Sequence, residues 1–208
     1  MKRGKIIVIE GASNSGKTTA CQNMKKYENC EIIDECMVYE PNPPRPSKCL
    51  EDEINNQIFF FKVEKRRLRK ATKLALEGKN VILDRCALST VAIAYAFEKM
   101  EKYKTFKHAI NEYENLIKDE TLIKPDEYIF LYTDTYNTEK RNETRLKKLS
   151  KEWIDKRFTD YQNEFYFIIE KKIDKSKLIS TTGKDKEYIS TRIANILGVK
   201  EKEQEKEK

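Results

Sequence analysis

A single histidine and five cysteines, odd in number and without a C-x-x-C pairing, are all that 208 residues offer a zinc ion or a disulfide framework. Neither is expected of such a sequence. The histidine, His108, lies in a polar helical stretch and reads as a surface residue. Long hydrophobic runs are also missing. No stretch approaches the roughly 20 apolar residues that span a bilayer, and the first residues lack the apolar core of a signal peptide. A cytoplasmic location with no membrane contact is expected. No internal repeat and no linker divide the chain, so one domain with one sizeable core is the economical reading.

What the sequence has in quantity is charge. Charged residues make up 37% and hydrophobic ones 38%, and the apolar residues recur in runs, so the chain is very polar without being disordered. Its net charge of +7 suits anionic partners such as nucleotides or nucleic acid and decides between neither. Apolar strand candidates recur at 5–9, 31–35, 80–84, 127–132 and 177–181, with helical stretches between them. That alternation predicts an α/β fold, a parallel five-stranded sheet flanked by helices. Residues 39–48, "YEPNPPRPSK", hold four prolines and read as a loop leading into a long helix from about Leu50 to Glu77. Residues 1–198 are expected to form the domain and 199–208 a charged, frayed tail.

The most specific signal is "VIEGASNSGKTT", residues 8–19. Gly11 and Gly16 bracket four residues, and Lys17 and Thr18 follow, which matches G-x-x-x-x-G-K-[ST]. A buried strand precedes this loop and a helix follows it, the context the pattern requires. Backbone N–H groups from Gly11 through Ser13, Asn14, Ser15, Gly16 and on to Thr19 are expected to cradle a polyphosphate, helped by the positive end of the helix. Lys17 then reaches the outer phosphates and the Thr18 hydroxyl ligates Mg²⁺.

"VILDRCALST" supplies a second half. Asp84 ends a strand beside the loop, where it can hold Mg²⁺ through water, because ligands of open α/β sheets bind at strand carboxyl ends. Arg85 can neutralise charge on a transferring phosphoryl group. Glu10, just before Gly11, is read as the base that accepts a proton from an attacking hydroxyl. On the long helix Lys62, Lys65, Arg66, Arg69, Lys70 and Lys73 form a basic stripe. The opposite face carries Phe60, Val63, Leu68, Ala71 and Leu74, with Glu64 and Arg67 beside it. Charges next to an apolar stripe point to a pocket, or to an i, i+3 ion pair.

Together these stretches resemble the thymidylate kinase and deoxynucleoside kinase branch of the P-loop nucleotide kinases, over nearly the whole chain. The residues carrying the likeness are "IVIEG....GKTT", the "EP" at Glu40 and Pro41, "FFF" with its following charges, "DRCALSTVA" through Ser89 and Ala92, "KPDEYIFLYTD", and "RNETR" with Arg141 and Arg145. The resemblance implies ATP and Mg²⁺, a small-molecule nucleoside or nucleotide acceptor, and a lid around 137–157 that closes arginines over the phosphates. On it, Lys17, Arg85, Arg141 and Arg145 stabilise phosphoryl charge, Thr18 and Asp84 serve the metal, and Phe60 stacks on the acceptor base. Tyr39, Glu40, Glu64, Arg67, Arg85 and Ser89 then belong to the acceptor side. A homodimer stays open.

Three departures concern the acceptor. Thymidylate kinases resembling this chain carry an arginine before "EP" as a phosphate anchor, and here the position is Tyr39. The missing cation favours an uncharged acceptor unless Arg45, in the proline-rich loop, replaces it. A tyrosine often follows S-x-x-A directly, whereas here Ile93 does and Tyr95 comes later. The base-reading position, four residues past the stacking phenylalanine, is Glu64 or Lys65 according to whether Phe60 or Phe61 stacks. The alternative function is a nucleic-acid-binding P-loop ATPase or polynucleotide kinase that uses the basic stripe. A GTPase would need N-K-x-D, which "LYTDTYNTEK" does not supply.

Overall fold

The computed structural model describes residues 3–40, 42–44, 46–120, 123–144 and 148–202. Its strands are β1 (Ile6–Glu10), β2 (Cys30–Ile33), β3 (Asn80–Asp84), β4 (Glu127–Tyr132) and β5 (Ser176–Ser180). The helices are α1 (Lys17–Asn23), α2 (Cys36–Tyr39), α3 (Leu50–Leu76), α4 (Leu88–Lys99), α5 (Phe106–Ile117), α6 (Thr135–Glu143), α7 (Lys156–Glu170) and α8 (Lys186–Leu197). All strand pairings are parallel, in the order β2-β3-β1-β4-β5. The expected five-stranded parallel sheet is therefore what forms. β1 is central because the chain winds out to β2 and β3 on one side, then to β4 and β5 on the other. Crevices at such a reversal open at the strand carboxyl ends.

β1 is buried on both faces, and its alternation divides the core in two. Ile6 and Val8 join Phe61, Leu68, Val91, Phe130 and Phe165 beneath α3, α4 and α7. Ile7 and Ile9 join Ala20, Cys21, Met24, Ile189 and Ile193 beneath α1 and α8. Burying each such isoleucine stabilises the fold by about 1.5–3 kcal/mol. The same period puts Glu10 on the Ile6/Val8 face, under α4, and this placement decides its role below.

Helix α3 has 27 residues. Asp52 N donates to Cys49 Sγ at its start, and Glu51, Asp52 and Glu53 complement the positive end of its dipole. At about 100° per residue, Glu53, Gln57, Phe60, Glu64 and Arg67 share one face. Lys62, Arg66, Arg69 and Lys73 lie on the other and are exposed. Lys65 pairs with Asp119 at 2.6 Å, so Glu64, not Lys65, shares the face of Phe60.

Two expectations need correction. The described start of the tail is paired, since Glu28 N donates to Lys200 O at 2.8 Å and Lys202 N to Lys26 O at 2.8 Å and Glu201 pairs with Lys26 at 2.7 Å, while 203–208 lie outside the described residues. Those backbone bonds supply the order that its charged composition alone would not. His108 is half-buried rather than a surface residue, because its Nδ1 lies 2.9 Å from Gln57 Oε1. The five cysteines are free, and among the described residues no helix is long and apolar enough to cross a membrane.

Candidate active site

The loop after β1 needs unusual backbone. Gly11 has φ 145°, and a Cβ there would lie 2.0 Å from Leu131 O, so no other residue fits. Asn14 (φ 56°) and Gly16 (φ 94°) also take positive φ. Helix α1 then starts with no side chain capping its first amides, as a helix that receives phosphate must. Ser13 and Ser15 are buried, Asn14 half-buried, and Thr18 and Thr19 exposed. Lys17 is folded into this cradle, only 4% exposed, with its Nζ donating to Ala12 O at 2.5 Å and Ser15 Oγ at 3.1 Å. Burial, reinforced by the Arg85 charge, lowers its pKa to about 7.

Asp84 stands beside it through the β1–β3 register, in which Ile9 pairs with Asp84. The Thr18 hydroxyl lies near the Asp84 carboxylate and draws its pKa down, while the buried Asp84 Oδ1 has no hydrogen-bond partner. Burial lifts this carboxyl above the usual carboxylate range, against the pull of Thr18, Lys17 and Arg85. Mg²⁺ binds through one or two carboxylates, a hydroxyl, water and substrate phosphates. A buried, unpartnered carboxylate oxygen next to a hydroxyl fits that ion. Among the described residues no cluster of three or more His, Cys, Asp or Glu offers a protein-only cage.

Arg85 occupies the left-handed region at φ 66°, which costs a non-glycine residue about 1–3 kcal/mol and recurs at functional sites. Arg67 stabilises the turn from below. Fully buried, it donates to Asp84 O at 2.8 Å and to Arg85 O at 3.3 Å, and it pairs with Glu64 at 2.5 Å. Burial raises the Glu64 carboxyl despite that pairing. Glu64 also accepts from Cys36 Sγ at 2.6 Å. The Glu64–Arg67 couple thus ties α2, α3 and the end of β3 together. The Arg85 guanidinium itself is aimed at the loop, with Nη1 donating to Gly11 O at 3.1 Å and Ser89 Oγ at 3.0 Å.

The structure does not bring Glu10 to the reacting centre. It is 0% exposed, and its carboxylate receives Cys86 N at 2.7 Å, Ser89 Oγ at 2.8 Å and Tyr166 Oη at 3.1 Å. A strand residue pointing under α4 cannot take a proton from a substrate in the crevice above. Glu35 can. It lies just past β2, is 26% exposed by side chain and meets Arg85 Nε at 3.3 Å. Sequence reading missed it because "EIIDE" looks like one strand, whereas β2 stops at Ile33.

Tyr39 and Glu40 are also displaced from the expected acceptor side. Helix α2 intervenes after β2 and carries them to the outer face of α3, where Lys70 lies over the Tyr39 ring at 5.9 Å and Glu40 pairs with Arg66 at 2.7 Å. The residue preceding Glu35 is Asp34, bonded to Gln22 at 2.9 Å. Phe60 is half-buried, edge-on to Phe59. Gln57, unremarked in the sequence, is buried on the same face, donating to Thr105 Oγ1 at 2.8 Å. Tyr95 turns away, its hydroxyl donating to Glu164 at 2.7 Å.

Arg141 reaches the donor side of the loop, donating to Asn14 O at 3.0 Å and Thr181 O at 2.7 Å. Arg145, Pro41 and Arg45 lie outside the described residues. Within 137–157, Asn142 Oδ1 accepts from Leu149 N at 2.9 Å, and Trp153 packs edge-on against Phe158 of α7.

Known proteins share this fold. A thymidylate kinase from Candida albicans superposes with a TM-score of 0.70 at 21% identity, covering 94% of this chain and 92% of that one. A deoxyadenosine kinase from M. mycoides with bound dATP gives a TM-score of 0.71 at 21% identity, covering 93% and 99%. A probable thymidylate kinase of Methanosarcina mazei is 26% identical over 137 residues, which span 62% of this chain and 65% of that protein. The two structural likenesses establish the fold. The profile of the thymidylate kinase family matches residues 9–193, and the chain belongs to that family.

Proposed function

We propose that this chain transfers the γ-phosphoryl group of ATP to a nucleoside or nucleoside monophosphate. One observation carries the reading: Lys17, Asp84, Arg85 and Glu35 converge on the carboxyl ends of β1, β2 and β3, around a loop shaped for polyphosphate. Thr18 and Asp84 would hold Mg²⁺, which when bound neutralises charge on the phosphate oxygens. Lys17 exchanges its carbonyl partner for the outer phosphates. Arg85 lies between loop and acceptor and stabilises charge on the group in transit. Glu35, beside Arg85, accepts the proton of the attacking hydroxyl. Arg141 and Arg145, on a lid around 137–157, complete the donor side, and the enzyme works in the cytoplasm.

On the acceptor side the reading favours a free hydroxyl. A phosphate dianion needs fixed cations. Among the described residues Arg85 is paired with Glu35, and Arg67 is held by Glu64 and backbone carbonyls. The test is ADP formation measured for each nucleoside and its own monophosphate. Nucleosides should give the higher kcat/KM. A preference for monophosphates would reverse the acceptor assignment, and ADP formation with no acceptor at all would overturn the kinase reading.

A further inference from the structure

Helix α7 sends one hydroxyl into the layer beneath the site. Tyr166 is 1% exposed, with its ring 5.6 Å from Phe130 and 5.7 Å from Phe165. Phenylalanine would fill that aromatic slot equally well, and burying a hydroxyl is unfavourable unless it is bonded. The hydroxyl donates to Glu10 Oε2 at 3.1 Å. Ser89 has one proton, and it goes to Glu10 Oε2 at 2.8 Å. The serine lone pairs are thereby turned to Arg85 Nη1 at 3.0 Å.

Arg85 needs such a hold. Among the described residues its side chain bonds Gly11 O, Ser89 Oγ and Glu35. Gly11 belongs to the loop that receives phosphate, and Glu35 is partly exposed and handles the substrate proton. Ser89, expected from the sequence on the acceptor side, is instead buried with its hydroxyl taken up by Glu10 and Arg85, which leaves it as the contact that binding of either substrate need not displace. Its orientation depends on Glu10, and Glu10 is held by Cys86 N, by Tyr166 and, at 3.4 Å, by Gly11 N. We propose that Tyr166 is a positioning residue: through Glu10 and Ser89 it fixes the Arg85 guanidinium over the phosphate loop, setting turnover without touching either substrate. This inference rests on the kinase reading of Arg85. It also gives buried Glu10 a role in catalysis that is not proton transfer.

The experiment is Tyr166→Phe, alone and combined with Arg85→Lys, measured as kcat, KM for ATP and thermal midpoint. Misplacing a catalytic group by about 1 Å costs up to about 10²-fold. The single variant should lose about tenfold in kcat with KM for ATP within about twofold, on the scale of that effect. In the Arg85→Lys background the same change should cost less than about twofold, because the group it positions is already altered. Unchanged kcat, or an equal loss in both backgrounds, overturns the proposal. Should Tyr166→Phe fail to fold, Ser89→Ala breaks the next link, and the same cycle applies with the same two outcomes. A readout independent of turnover keeps this separate from the kinase assignment. The ¹⁵N signals of the Arg85 guanidinium should show hindered rotation in the wild type and lose it in Tyr166→Phe, and retention in the variant counts against the proposal even if no acceptor is ever found.

Discussion

The cations on the two sides of the phosphate loop are held by different partners. On the donor side Lys17 rests on Ala12 O and Ser15 Oγ, and Arg141 on Asn14 O and Thr181 O. These are neutral oxygens, which yield readily to a phosphate. On the acceptor side Arg85 meets the Glu35 carboxylate and Arg67 the Glu64 carboxylate. A partner of full charge is not given up so easily. Among the described residues, one side offers cations on neutral partners and the other offers cations already paired with carboxylates, the contrast on which the proposed preference for an uncharged acceptor rests.

Four variants would break or sharpen this contrast. Glu35→Gln should have the largest effect, lowering kcat by about 10²–10⁴-fold, the range for a general base, while ATP affinity measured by calorimetry holds. If kcat survives, the acceptor-side carboxylate is only a counter-ion for Arg85. Arg67→Met comes next. It leaves Glu64 buried without its cation, and breaking a buried pair costs about 3–5 kcal/mol, to be read from urea unfolding. A loss below about 1 kcal/mol would mean that this pair behaves like a surface one.

Lys17→Ala should reduce phosphoryl transfer by about 10²–10³-fold, as for loss of a preorganised charge donor, with little change in thermal midpoint. Near wild-type ADP production would remove the donor-side half of the comparison. The smallest effect belongs to Arg66→Ala, whose partner Glu40 sits on the outer face of α3. An exposed pair contributes about 0.2–1 kcal/mol, and turnover should not move. A clear fall in turnover would return Glu40 to the acceptor site.

What could be read from the sequence followed from how local each feature is. The strand, loop and helix around Gly11–Thr18, and the strand ending in Asp84 and Arg85, are contiguous patterns with one sensible geometry. Glu10 stood at the right place in that pattern. Besides the neighbouring Gly11 N, its donors come from Cys86, Ser89 and Tyr166, up to 156 positions away, and no spacing rule links them. Glu35 was hidden by a strand that ends two residues earlier than its apolar run suggests. The Phe60/Glu64 register follows from helical phase once α3 is known to be unbroken. The grip of Arg67 on the carbonyls of Asp84 and Arg85 leaves no trace in composition, since any i, i+3 pair reads as a surface bridge.

The packing of α1 on α8 also has a consequence for synthesis. Ala20, Cys21 and Met24, behind the phosphate loop, share a core with Ile189, Ile193 and Ala194, and Lys26 bonds Glu187 at 2.7 Å. Ribosomes add about 5–20 residues per second, so the first helix waits roughly ten seconds or more for the last to emerge. Until then α1 can pack on Ile7, Ile9 and Ile82 of the sheet, but the part of its apolar surface that meets α8 stays uncovered. A nascent or prematurely terminated chain therefore carries the whole phosphate-binding motif on its sheet but without the helix that closes the other side of α1.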